Sequence, residues 1–144
     1  MVAGTLKTEI VRSSLLSPRH VRRPRLTRLL DEARGQAVVI AAPPGYGKTA
    51  LAAEWAEDKP DVAWYRASAA SADLAAFCVG LATALRPLAA DAGERLLQRI
   101  RAGEVPEQDV RAMAELLAGD LGGWPDDAWV VIDDYHLVGD APAV

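Results

Sequence analysis

The sequence predicts an α/β fold on a parallel sheet, and three observations lead there. Ala37 to Ala41 (AVVIA) is a short apolar run that passes through a glycine-bearing turn into Thr49 to Glu57 (TALAAEWAE), a good helix former. Val62 to Arg66 (VAWYR) and Trp129 to Ile132 (WVVI) are two more short apolar runs. Between them lie stretches with helical periodicity. Short buried strands alternating with helices argue for a parallel sheet covered on both faces, with ligands at the carboxyl ends of the strands.

The elements follow in order. Residues 1–20 are mixed in character and predict loop or extended chain. Pro24 suits a first helical position, Leu26, Leu29 and Leu30 share one face, and Gly35 closes the helix. The strand over residues 37–41 and the helix from Lys48 come next. Lys59-Pro60-Asp61 is a turn into the strand Val62 to Arg66. Asp73 is positioned to cap a helix to about Leu85, with Leu74, Phe77, Cys78, Leu81 and Leu85 on one side. Asp91 and Glu94 have capping-box spacing ahead of Leu96, Leu97 and Ile100. Pro106 opens a helix with Val110, Ala114, Leu117 and Leu121 aligned, ended by Gly122 and Gly123. Pro125 to Asp127 turns the chain into the strand that ends at Asp133.

The densest chemistry is Ala42-Pro43-Pro44-Gly45-Tyr46-Gly47-Lys48-Thr49. Strand, glycine-bearing loop, Lys-Thr and helix are the context of a phosphate-binding loop. Gly45 and Gly47 lack a Cβ, so the backbone can curl and aim its N–H groups inward. The helix start contributes further N–H groups and a positive dipole end. Lys48 is placed to reach the β and γ phosphates of a triphosphate, and the Thr49 hydroxyl can ligate Mg²⁺. Ala42 stands where the G-x-x-x-x-G-K-[ST] pattern has its first glycine. Alanine fits if φ there is negative, with Pro43 and Pro44 stiffening the entry. The bland alternative is a strand–helix turn with an incidental lysine.

Asp133 and Asp134 end the WVVI run as a Walker B element would. The first carboxylate orients Mg²⁺ and the second polarises an attacking water as general base. A strand followed by an acidic turn is the competing reading.

Composition sets bounds. At 144 residues the chain is one domain or part of one, and 51% hydrophobic with 25% charged residues is ordinary for a soluble protein. No apolar run approaches a membrane span, and the polar N-terminus is no signal peptide. The single cysteine, Cys78, excludes an internal disulfide and reads as a buried, inert thiol. A cytoplasmic setting follows. His20 and His136 lie far apart without metal-ligand spacing. Residues 1–36 hold eight basic and three acidic side chains, a balance of +5, against −9 for residues 37–144. The basic part lacks interleaved aromatics, which favours a solvated or nucleotide-facing arm over a nucleic-acid surface.

Four segments taken together carry a resemblance: VRRPRL (21–26), APPGYGKTALAAEW (42–55), VAWYRASAASADLAAFCVGLATAL (62–85) and WVVIDDYHLV (129–138). Their order resembles the P-loop NTPase domain of STAND ATPases, most closely the large ATP-binding LuxR-type, maltose-regulon-activator-like bacterial transcription regulators. The resemblance covers roughly residues 15–140. It implies an ATP/ADP switch that self-associates in its ATP form or works with further regulator domains. It also implies a nucleotide-holding set of Arg23, Pro44, Gly45, Tyr46, Gly47, Lys48, Thr49 and Ala50, Mg²⁺ at Thr49 and Asp133, and a catalytic role for Asp134. A surface arginine before a helix is the other reading of Arg23. The family's sequence after the second strand is usually more acidic than VAWYRASAASAD.

On this resemblance, residues 1–36 form a basic arm and helix, and residues 37–144 the N-terminal part of the NTPase domain. The family's strand after Walker B inserts between the two Walker strands, and the sequence ends at Val144 before it. The expectation is therefore a truncated domain with slow or absent ATP turnover and no specific DNA or membrane binding. A metabolic P-loop enzyme, such as a small-molecule kinase, and an inert fragment remain the alternatives.

Overall fold

The computed structural model describes residues 16, 20–33, 35–104 and 109–138. Apart from Leu16 and His20, the expectation for residues 1–20 lies outside the described residues, as does Pro106. The chain forms two compact units, one running to Pro60 and the other starting at Asp61.

The first unit pairs two helices, α1 (Pro24–Glu32) and α2 (Lys48–Ala56). Pro24 opens α1, where its missing N–H costs nothing. Leu26 and Leu30 are half-buried and Leu29 is exposed. Polar ties reinforce the pair. The Trp55 indole N–H donates to Asp31 Oδ1 (2.9 Å), and Lys59 Nζ reaches the same oxygen at 2.6 Å. That ammonium also lies 5.5 Å from the centre of the Trp55 ring. Leu51 to Ala56 are all buried, as befits a helix that is apolar nearly all round.

Residues 37–41, expected as a strand, are not one. They pair with no strand among the described residues, and Val38 and Val39 are exposed, Val39 to 84%. An apolar run becomes a strand only where a neighbour takes up its N–H and C=O groups. Composition supplies the propensity, but the ladder needs a second chain segment.

The second unit holds the sheet. Strands β1 (Val62–Arg66) and β2 (Trp129–Asp133) run parallel, with Val62 opposite Trp129 and Arg66 opposite Asp133. The Trp129 N–H to Asp61 C=O and Ala67 N–H to Asp133 C=O bonds, each 2.9 Å, extend the pairing at both ends. A 3-10 turn at Ala69–Ala72 leads into α3 (Leu74–Leu85), followed by α4 (Glu94–Ala102) and α5 (Val110–Gly119). A second 3-10 turn, Tyr135–Leu137, follows β2. The expected α/β class with a parallel sheet therefore holds at the scale of two strands.

The core joins Ala63 of β1 to Cys78, Ala82 and Leu85 of α3, to Leu96 of α4, and to Met113 and Leu117 of α5. Ala89 and Ala92 of the α3–α4 connection complete it. Asp73 caps α3, its carboxylate accepting the Ala76 N–H at 2.7 Å. Cys78 is buried with its sulfur 3.8 Å from that of Met113, and burial, with Asp73 nearby, pushes the thiol pKa up. The expected burial of this thiol is borne out.

Two local expectations shift. The N-cap of α4 is Gly93, in the left-handed region at φ 74°, and the Asp91 side chain does not cap it. The buried carboxylate of Asp120 reaches over from the end of α5 and accepts the Arg95 N–H at 2.9 Å. A cap supplied by another helix removes the need for a local one. On α5 the buried residues are Met113 and Leu117, while Val110 and Ala114 are exposed. The helix is turned so that Met113 meets Cys78.

Candidate functional site

The glycine-bearing loop lies in the first unit. Gly45 (φ 80°) and Gly47 (φ 77°) both adopt the left-handed conformation, and Gly47 heads α2 without a side-chain cap. A tight turn of this kind is what lets Lys48 and Thr49 begin the helix directly. The Lys48 ammonium folds back over the loop and donates to the carbonyls of Ala42 (2.7 Å) and Pro43 (3.2 Å). Pro44 and Tyr46 form the exposed outer wall, and Thr49 and Ala50 are half-buried in the first turn of α2.

The structure brings Arg23 to this loop. Its Nη1 donates to the Tyr46 carbonyl at 3.1 Å. A Cβ on Gly47 would lie 3.1 Å from Arg23 Nη2, so the guanidinium rests against the face that glycine leaves open. Gly47 is thus fixed twice, by its φ and by its neighbour.

Sequence reasoning did not single out Glu54. It is 5% exposed on α2, yet charged. Its Oε1 accepts the backbone N–H of Arg23 at 2.8 Å, and its Oε2 lies 2.8 Å from His20 Nε2. Burial alone would raise the Glu54 pKa. The Arg23 N–H, His20 and the nearby Arg22 charge outweigh burial and hold it below the usual carboxylate range. Arg22 itself pairs with Glu57 at 2.8 Å. The available signal was a lone acid inside the apolar run LAAEWA.

The acidic pair lies in the second unit. Asp133 ends β2, and its Oδ1 accepts the Asp134 N–H at 3.0 Å. Asp134 has φ 54°, the sole positive φ at a non-glycine position among the described residues. Aspartate tolerates this region better than most residues, and such geometry clusters where a side chain must be aimed. Arg66, opposite Asp133 in the register, donates its Nε–H to Asp134 Oδ2 at 3.0 Å and lies 3.9 Å from Asp133 Oδ2. The Asp134 bond, with the charges of both acids, raises the Arg66 pKa. Sequence reasoning left Arg66 without a role, although its parallel alignment with Asp133 follows once the two strands pair. No group of three or more acidic, His or Cys side chains suited to a metal occurs among the described residues. No described helix is long and apolar enough to cross a membrane.

No family model matches the chain, and no solved structure does so significantly. Curated relatives do. The chain is 30% identical over 120 residues to the HTH-type transcriptional regulator MalT of Vibrio parahaemolyticus serotype O3:K6, covering 81% of this chain and 13% of the relative. It is 32% identical over 117 residues to the protein of the same name from Vibrio campbellii, with 81% and 13% covered. For that of Vibrio cholerae serotype O1 the figures are 32% over 122 residues, 82% and 13%. The chain thus spans about one-eighth of the length of these relatives. The resemblance read from the motifs holds: the homologues of this chain are HTH-type transcriptional regulators.

Proposed function

We propose, taking kinship with the MalT regulators as premise, that this chain is the nucleotide-binding switch of a LuxR-type transcription regulator with a P-loop NTPase fold. The observation that supports this most is the loop itself. Two left-handed glycines turn the chain into a helix start, and the Lys48 ammonium already sits over the loop on two carbonyl oxygens. On this reading a bound ATP or ADP would offer phosphate oxygens in exchange for these two carbonyls. Arg23 adds a second cation at the loop. Pro44, Gly45, Tyr46, Gly47, Thr49 and Ala50 complete the cradle.

Thr49 and Asp133 offer the hydroxyl and carboxylate oxygens that a hard cation such as Mg²⁺ prefers. When bound, Mg²⁺ neutralises phosphate charge. Asp134 is the candidate for orienting a water. Exchange between ADP-bound and ATP-bound forms would then govern self-association, or contacts with further regulator domains, in a cytoplasmic protein.

Calorimetric titration with Mg-ATP tests the reading. The wild-type chain should bind, and Lys48→Ala should weaken binding at least about tenfold, since a charge-assisted hydrogen bond contributes about 1.5–3 kcal/mol. Absence of binding by the wild type, or equal binding by the variant, overturns it.

A further inference from the structure

We infer that Glu54 is a positioning residue for the nucleotide site, acting through Arg23. The inference rests on the reading of the loop as a phosphate site, which it extends to the residue that sets the second cation in place.

Glu54 lies on the helix that the loop opens, seven residues beyond Gly47. Helix α2 therefore carries the loop at its start and the buried carboxylate within its body. Among the described residues, the carboxylate has the Arg23 N–H as its backbone partner and His20 as its side-chain partner. A buried carboxylate is costly unless its lone pairs are taken, and here segment 20–23 takes them. The bond to the Arg23 main chain fixes where that residue's Cα stands. From there the guanidinium reaches the Tyr46 carbonyl and rests on Gly47. Main chain and side chain of one arginine thus bridge the body of α2 to the loop at its head. Three neighbours favour this over a purely structural acid. Arg22 goes outward to Glu57, His20 goes inward to Glu54, and Arg23 alone turns toward the loop. A carboxylate needed only for stability would not have to grip the residue whose side chain lines the loop.

The experiment uses the full chain and four variants: Arg23→Ala, Glu54→Ala, Glu54→Gln and the Arg23→Ala/Glu54→Ala double variant. Mg-ATP affinity is read by titration and stability by urea unfolding. Arg23→Ala should weaken ATP about tenfold, the worth of one hydrogen bond from a charged donor. Glu54→Ala should weaken it by a similar factor. The double variant should bind no more weakly than Arg23→Ala, because the two changes interrupt one line of action. Glu54→Gln keeps an acceptor for the Arg23 N–H and should bind within about threefold of wild type. Full additivity of the affinity losses, or an unchanged affinity in a folded Glu54→Ala, overturns the inference.

Amide hydrogen exchange without nucleotide separates this from failure of the underlying reading. Glu54→Ala should speed exchange at residues 45–47 as much as Arg23→Ala does, and the double variant no more. That result upholds the positioning even if Lys48→Ala shows the loop not to bind ATP. Unchanged exchange at residues 45–47 in Glu54→Ala overturns the positioning whatever the nucleotide data show.

Discussion

Gly93 shows how much one missing side chain can decide. It sits at φ 74° at the head of α4, and a Cβ there would collide with the Cβ of Ala82 on α3. Gly93→Ala should therefore combine backbone strain with overpacking and cost roughly 3 kcal/mol. A lowered urea midpoint with an unchanged slope would register it, and a midpoint within error of wild type would refute it. The sequence concealed this, since Asp91 and Glu94 offered a ready capping box and the carboxylate that reaches α4 comes from Asp120, 25 residues beyond Arg95. Glu54 was hidden for a related reason. Its partners, His20 and Arg23, lie 34 and 31 residues earlier, and no local pattern announces them. Lys48, Thr49 and the two glycines were legible because their chemistry is contained in eight consecutive residues.

Elements were legible where their own residues settle their state. β1, α2 and α3 occur within a residue of the expected bounds, since apolar content, a turn or a cap marks each end. The phase of α5 was less so. Several apolar stripes overlap on it, and the choice among them belongs to α3, which presents Cys78 to Met113. Residues 37–41 are the clearest miss, because strand formation belongs to a pair of segments. An exposed, unpaired Val39 makes a direct forecast. Val39→Lys should change stability by less than about 0.5 kcal/mol, as surface substitutions do. A loss of 2 kcal/mol or more, about what burying a valine contributes, would mean that this run is buried in solution.

At the scale of the whole molecule, each of the two units is stabilised internally by a different kind of interaction. The first relies on carboxylates, with Glu54 gripping His20 and Arg23, and Asp31 gripping Trp55 and Lys59. Lys59 pulls the Asp31 pKa down against burial, with Trp55 assisting, and the Glu54 pKa is likewise lowered. Groups whose folded pKa is depressed bind protons more readily when unfolded. Their stabilisation is fully present above the ordinary values, 3.8 and 4.5, and is lost as the pH falls through the lower folded ones. Acidification below about pH 4 should thus raise amide exchange in residues 20–59 before it does so in α3, α4 and α5, and the reverse order would contradict this. The second unit rests on an apolar core in which Ala63, Ala82, Ala89 and Ala92 are four of the nine buried residues. At these four positions the interior is already trimmed to methyl groups, so mutation of the alanines has little left to delete. Harm would come as crowding rather than as holes, and a tolerated enlargement at one alanine would have to be matched by a shrinkage beside it, which ties the histories of these positions to one another.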